Sequence, residues 1–491
     1  MRTSPWFLLF QRRARRPVLV SAACAALLLG LVVGQRWNGG WLVLLLPFAL
    51  LRARMQDASV LLLLVIAFFG IGTWRGHAYA RQLAIYQTFW KHKITVVGVV
   101  VDDAVYGTHQ QLTFPMNKAH VGRGPPLPGT ITVSGFGVPA AFRGDTVQVT
   151  GELYPVRGNA QAAISFAGLR VLAHHDNWLD AARRKFVAGL QSALPEPAAS
   201  FGLGLLVGQR NTLPATISQQ LTMVGLTHII AVSGYNLTIM LQVARRLVGK
   251  RSKFLATLTF VLLIGGFLLL TGTSPSIVRA AIVSLLSITA WYYGREINPF
   301  VLLLLAAAVT AWATPLYVWG NVSWYLSFLA FAGVMLLAPL FTARFYGGRS
   351  LGLVAAVFVE SLCAELLTLP YVLHIFGQIS FVALPANLLV VALVPLAMLL
   401  TFVAGVAGMA APVLAGIVAW PARLLLTYML DTAHGLSEIP HAFAQNIGFP
   451  AWQMAAAYAV IAGIGAAMWY KTCAKCAIIT DKTTPNAEEG G

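Results

Sequence analysis

Leu226-Thr227-His228-Ile229-Ile230-Ala231-Val232-Ser233-Gly234-Tyr235-Asn236-Leu237-Thr238-Ile239-Met240-Leu241-Gln242-Val243-Ala244-Arg245-Arg246-Leu247 is apolar enough to cross a membrane, yet carries His228, Ser233, Gly234, Tyr235 and Asn236 where a plain anchor would have Leu or Val. Hydrocarbon gives such groups no hydrogen-bond partner, so each must face protein or a water-filled path. The segment therefore speaks for a membrane fold and marks a place where that fold does more than anchor.

The rest of the chain agrees. With 58% hydrophobic residues, 10% charged residues and a mean hydropathy of +0.74, a soluble globular protein is excluded. A hydrocarbon core of roughly 30 Å needs about 20 apolar residues per helix, and such runs recur to give about 11 to 12 crossings. Arg12, Arg13, Arg15 and Arg16 before the first run imitate a secretory signal, but no small-residue cleavage site follows, so a retained first helix is expected. The net charge of +18 hints at nucleic acid or anionic lipid. Much of it, however, sits in short loops beside apolar segments, where the positive-inside bias alone would place it.

Three apolar segments open the chain, at 17–34, 40–51 and 59–74, with Arg52 and Arg54 on the side of the N-terminal arginines. Three crossings then deliver Arg75 to the outer face. From Lys93 to Leu172 the pattern changes to alternating runs: 94–100, 129–133, 145–151 and 163–166, punctuated by Gly, Pro and Asn. Five short strands in about 80 residues fit a small OB-like barrel better than a sandwich. Asn177 to Leu194 is an amphipathic helix with Leu179, Ala182, Phe186 and Leu190 on one face. It reads either as lying in the membrane interface or as a soluble connector.

A second membrane block follows, with crossings at 226–244, 254–272, 276–293, 299–313, 319–341, 351–369, one or two between 378 and 411, then 414–434 and 451–469. Arg245, Arg246, Lys250, Arg251 and Lys253 fill its first loop, Arg295 the third, and Arg344 with Arg349 the fifth. The loops between, at 273–275, 314–318 and 370–377, have no Lys or Arg. That alternation supports the register of the first six crossings independently of hydropathy and agrees with the first block in placing the barrel outside the cytoplasm. Pro385, Pro395 and Pro412 blur the count after 378; a single bent crossing there puts Lys471 and Lys475 in the cytoplasm and is preferred. The four cysteines are too few and scattered for a disulfide framework; Cys24 and Cys363 read as small buried hydrophobes. The lone Cys473-Ala474-Lys475-Cys476 lacks a second pair for zinc and reads as a lipidation site or as having no role.

Three motifs carry the chemistry: Gly208-Gln209-Arg210; Gly225-Leu226-Thr227-His228-Ile229-Ile230-Ala231-Val232-Ser233-Gly234-Tyr235-Asn236; and Thr271-Gly272-Thr273-Ser274-Pro275-Ser276-Ile277-Val278-Arg279-Ala280. Together they resemble the competence module of the ComEC family, the inner-membrane DNA-uptake channel of natural transformation. Tyr325-Leu326-Ser327-Phe328 and the Pro370 to Asn387 region look like later motifs of the same family. Two departures stand out: many members have an acidic residue at Gln209 and a His at Asn236. The resemblance implies a polytopic α-helical membrane protein with an inserted extracytoplasmic OB-like β-barrel. Its domains would be N-terminal transmembrane helices (1–76), the barrel (77–176), amphipathic interfacial helices (177–224), a competence-type channel module (225–470) and a short tail (471–491).

It further implies translocation of single-stranded DNA into the cytoplasm across a bacterial inner membrane. The implied path is lined by Arg210, His228, Ser233, Gly234, Tyr235, Asn236, Ser274, Arg279, Ser327, Glu360 and Asn387. Implied partners are single-stranded DNA, membrane lipids, an outside DNA receptor, a cytoplasmic translocation ATPase and a separate nuclease. Many members end in a metallo-β-lactamase-like domain. This sequence has no His-x-His-x-Asp-His cluster, so no metal, cofactor or catalytic residue is expected.

Read without the family, Ser233-Gly234 at mid-membrane weakens a helix and frees backbone groups, as where a broken helix lines a translocation path. Close Gly-mediated helix packing is the plainer alternative. Arg279, one turn inside its helix, has three readings: snorkelling outward, phosphate contact, or pairing with a carboxylate such as Glu360 or Glu365. The Trp and Tyr residues, including Trp291-Tyr292-Tyr293, Trp319 and Trp324-Tyr325, fall mostly at helix ends, as an interfacial belt would. Two rival functions are an intramembrane serine hydrolase using Ser233 and His228, and an ion-coupled carrier of a small solute using Glu360. On a regular helix the hydrolase pair would be set about 140° apart, which argues against it.

Overall fold

The computed structural model describes residues 16–37, 57–101, 104–106, 111–122, 124–136, 141–156, 160–174, 178–208, 213–230, 252–271, 275–295, 298–346 and 352–482. In chain order come α1 (Arg16–Gly34), α2 (Asp57–Leu83) and a 3-10 segment (Ala84–Phe89). Six strands follow: β1 (Lys93–Val100), β2 (Val105–Tyr106), β3 (Gln111–Val121), β4 (Thr130–Phe136), β5 (Thr146–Pro155) and β6 (Ala162–Ala173). Then α3 (Trp178–Ala193), α4 (Ala198–Val207), α5 (Ala215–Met223), the single turn α6 (Thr227–Ile230), α7 (Lys253–Thr271), α8 (Pro275–Tyr292), α9 (Pro299–Ala313) and α10 (Tyr317–Gly320). The last group is α11 (Val322–Ala332), a π-helical turn (Gly333–Leu337), α12 (Ala338–Phe345), α13 (Leu353–Phe376), β7 (Ile379–Ser380), α14 (Ala383–Val390), α15 (Val394–Ala410), α16 (Pro412–Ser437), β8 (Phe443–Ala444) and α17 (Ala451–Lys482).

Among the described residues, seven helices are long and apolar enough to span a bilayer, and α7, α8 and α9 supply shorter apolar helices at three expected crossings. The chain divides into two compact units, Met1–Pro214 with His228–Trp324 and Pro395–Thr427, and Ala215–Thr227 with Tyr325–Val394 and Tyr428–Gly491.

In the first unit, α1 and α2 run in the same direction, as three crossings in this block require; the middle segment, 40–51, lies outside the described residues. Their backbones touch. A Cβ on Gly30 would sit 2.3 Å from the Phe69 carbonyl oxygen, and one on Gly72 would sit 2.4 Å from that of Leu27. Small residues four apart on both helices (Gly30 and Gly34, Gly72 and Gly76) permit this approach, the usual device where lipid gives helices no hydrophobic reason to associate.

α2 then runs on into the barrel. Tyr86 of the 3-10 segment is buried among the barrel's core residues and donates its hydroxyl to the Pro128 carbonyl at 2.8 Å, while Gln161 Nε2 donates to the Tyr79 hydroxyl at 2.7 Å.

The wall order is β1-β5-β6-β4-β3, closed by pairing of β1 with β3; all pairs are antiparallel except β4 with β6. This is a closed five-stranded barrel of the OB type, with β2 a short extension beside β3. Inward residues alternate as a pleated strand demands: Val96 and Val100, Leu112, Phe114 and Met116, Ile131 and Val133, Val147 and Val149. The four alternating runs correspond to β1, β4, β5 and β6. The fifth wall strand, β3, carries Pro115, which donates no ladder bond and interrupts the sequence pattern, although its carbonyl still accepts from Val101.

The apolar face of α3 packs against α15. Phe186 stacks on Phe402 of α15 at 5.9 Å, and a Cβ on Gly408 would meet the Gly189 backbone. Every residue of α4 except Leu206 is buried. Pro17 of α1 and Arg295 after α8 line one cavity, so those two helix ends share a side. At the opposite end, Gln35 Nε2 donates to the Pro315 carbonyl at 2.7 Å and Arg36 stacks over Trp319 at 4.0 Å.

In the second unit, Pro370 lies inside α13, where it donates no backbone hydrogen bond, and the Tyr458 hydroxyl donates to the Leu367 carbonyl one turn before it at 3.0 Å. Ile379 and Ser380 pair with Ala444 and Phe443, so the turn after α13 and the turn before α17 meet at one end. Between 383 and 410 the chain forms one interrupted helix, broken by a 3-10 turn at Val391–Leu393 just before Pro395.

Candidate functional sites

Of the motif residues singled out above, Arg210, Ser233, Gly234, Tyr235, Asn236 and Ser274 lie outside the described residues. The others fall in two places.

In the first unit Arg279 sits one turn into α8 with 2% of its surface exposed, which removes the snorkelling reading. Its Nη2 donates to the Ser323 carbonyl at 2.8 Å, in the first turn of α11. That turn is itself held by polar groups that the hydropathy profile hides. Asn321, fully buried, accepts from the Trp324 backbone N–H through Oδ1 at 2.7 Å, and the Trp324 indole donates to Thr310 Oγ1 of α9 at 3.0 Å. Thr310 in turn donates to the Ala306 carbonyl at 2.9 Å. The result ties α8, α9 and the start of α11 around a guanidinium removed from water. Trp324 is therefore a buried hydrogen-bonded residue, not part of an interfacial belt, because its indole N–H finds an internal partner. The one sequence signal for this cluster is Asn321 immediately before Val322-Ser323-Trp324, an N-cap pattern at a helix start.

In the second unit the opening of the second motif is a helix stop. Gly225 has φ +75°, Leu226 N–H donates to the Leu221 carbonyl at 2.8 Å and Gly225 N–H to that of Thr222 at 3.1 Å. These two bonds form a Schellman cap on α5, with Leu221 and Leu226 both buried beneath it. The cap packs against the start of α14, where a Cβ on Gly225 would be 2.7 Å from the Ala383 Cβ and 3.7 Å from that of Ser380. The Gly225 turn and the Pro370 to Asn387 region, distant in the sequence, are thereby brought into contact.

Near the same helix, Asn387 Oδ1 and Ser380 Oγ are buried and have no hydrogen-bond partner among the described residues. Ser327 is half-buried on α11 and Glu360 is exposed on α13, while His228, which belongs to the first unit, is exposed. No hydrogen bond or ion pair among the described residues joins Ser327, Glu360 and Asn387 to one another.

Residues 205–472, more than half of the chain, match the Competence protein family. The chain belongs to that family. It is also 26% identical over 228 residues to ComE operon protein 3 of Bacillus subtilis (strain 168), a match covering 46% of this chain and 28% of that protein. The similarity thus spans less than a third of the relative's length. No solved structure matches.

In this competence protein both groupings, the Arg279 cluster and the Gly225 cap with α14, fall within the matched segment. The barrel precedes it. The barrel's surface carries Phe166, 81% exposed at a bulge where β6 slips against β5, together with exposed Phe142, Lys93, Lys118 and Arg170. The Tyr154 hydroxyl donates to the neighbouring Glu152 carboxylate, whose proximity raises that phenol's pKa above its ordinary value. Asp145, nearly buried where β5 begins, accepts from the Phe142 N–H at 3.0 Å and lies 3.1 Å from His174. Among the described residues no three His, Cys, Asp or Glu side chains converge as metal ligands.

Proposed function

We propose that this membrane protein conducts single-stranded DNA into the cytoplasm during natural transformation, with the barrel on the outer face receiving the strand. The observation that carries the reading is membership of the Competence family over residues 205–472. Two features support it. A buried guanidinium that donates to a main-chain carbonyl is costly in an apolar helix bundle, and such groups in spans mark ion or substrate pathways. A barrel with exposed phenyl and basic side chains on its surface suits single strands, since bases stack on aromatics without sequence preference.

The proposed orientation follows from charge. The helix ends that share Pro17 and Arg295 adjoin the Arg-rich N-terminus, so the positive-inside bias assigns them to the cytoplasm. The end at Gln35 and Pro315, like the barrel, then faces outward. The path would run past the Ser233-Gly234 break and Arg279, with an outside receptor, a cytoplasmic ATPase and a separate nuclease acting with the channel.

The test is uptake of labelled DNA into the cytoplasm, measured apart from surface binding, in cells lacking this gene and carrying either the natural sequence or one with Ser233-Gly234 replaced by Leu-Leu. The replacement restores an apolar helix and should abolish entry while the protein remains inserted. Entry at the natural rate in cells lacking the gene would refute the function. Natural entry with Leu-Leu would refute the assigned path.

A further inference from the structure

We propose that the cavity where α1, α8 and α9 meet binds the headgroup of an anionic phospholipid. The cavity measures about 520 Å³, far more than a bare phosphate fills. Its apolar wall is Pro17, Leu286, Ala290 and Val301; its polar groups are Thr289, Tyr293, Arg295 and Asn298. Leu286, Thr289 and Ala290 follow the i, i+3, i+4 spacing of one face of α8, and Tyr293 continues that face just past the helix end, so this face leads from apolar wall to polar rim.

Position argues for lipid. α8 ends at Tyr292, α9 begins at Pro299 and α1 begins at Arg16, so the cavity sits at the level of three helix ends, where a bilayer changes from acyl chains to headgroups. Exposed Val18, Leu285 and Phe300 flank the lining residues in sequence, and Tyr292 packs edge-on to exposed Tyr293 at 5.3 Å, an arrangement suited to the membrane interface. The surroundings are therefore apolar side chains, not the polar lining of an aqueous path.

Chemistry argues for an anion. Arg295 offers a forked set of donors to phosphate. Asn298 Oδ1 is already committed to the Phe300 N–H at 2.9 Å, which leaves its amide N–H groups to donate. In the sequence, Arg12, Arg13, Arg15 and Arg16 immediately precede Pro17. Basic pockets between membrane helices at this level are the kind of site that holds anionic headgroups.

Native mass spectrometry of the full-length protein in detergent, titrated with phosphatidylglycerol or phosphatidylcholine, tests this. Preferential retention of phosphatidylglycerol is expected. Arg295→Gln should weaken it roughly fivefold, the effect of one basic residue at an anionic surface. Ala290→Trp should abolish the preference by filling the cavity. Arg344→Gln, which removes an exposed basic residue at the end of α12, serves as the control and should change nothing. Equal effects of Arg295→Gln and Arg344→Gln would overturn the proposal, because diffuse charge would then explain binding. Displacement of the lipid by millimolar inorganic phosphate would mark a free-anion site, and displacement by a single-stranded oligonucleotide would mark part of the DNA path; either would overturn it.

Discussion

Replacing Gly225 by Ala tests the contact between the first competence stretch and α14, and its cost can be worked from two separable sources. The backbone at 225 has φ +75°, where an L-residue with a Cβ pays roughly 1–2 kcal/mol. The new methyl would also stand 2.7 Å from the Ala383 Cβ, about 1 Å inside the normal 3.5–4.0 Å carbon contact, and overpacking of this kind costs roughly 1–3 kcal/mol. The sum, roughly 2–5 kcal/mol, is a large share of the 5–15 kcal/mol typical of folded proteins.

A double-mutant cycle separates the two. Ala383→Gly removes the methyl that would collide, so Gly225→Ala with Ala383→Gly should show a favourable coupling of about 1–3 kcal/mol while the backbone term persists. The assay is equilibrium unfolding of the detergent-solubilised protein in a denaturing surfactant, followed by far-UV circular dichroism. Zero coupling would refute the claimed contact with α14. A neutral Gly225→Ala would refute the left-handed cap as well.

Arg279→Ala should reduce DNA entry at least tenfold at normal protein levels, since it empties a buried site bonded to the Ser323 carbonyl; Arg279→Lys should restore entry only in part, as the planar fork is lost. Full activity of the Lys variant, measured by uptake of labelled DNA, would show that charge alone suffices. In a background with the native cysteines replaced, Phe166→Cys should react with an impermeant maleimide in intact cells and Arg295→Cys only after lysis; the reverse pattern would invert the orientation. Phe166→Ser should weaken binding of a short single-stranded oligonucleotide by about 1–3 kcal/mol, measured by fluorescence anisotropy, with duplex binding less affected.

Residue order alone marks a polytopic membrane protein with a small barrel inserted after the first helices. Partition of an apolar helix into a bilayer and alternation along a pleated strand are local properties, summed over neighbours in the chain. For the same reason α7, α8 and α9 lie within a residue or two of their expected ranges, and the basic loops set their register. β3 was harder to see because one Pro interrupts its alternation.

The remaining features depend on partners far away in the chain. No local pattern says that Arg279 meets the carbonyl of Ser323, that Trp324 turns its indole to Thr310 instead of the interface, or that Gly225 must be glycine for Ala383 as well as for its own φ. Nor does amphipathicity tell whether the apolar face of α3 is covered by lipid or, as here, by the glycines of α15, since both are equally free of water. Hydropathy measures whether a side chain leaves water, while the identity of what replaces the water is a matter of packing.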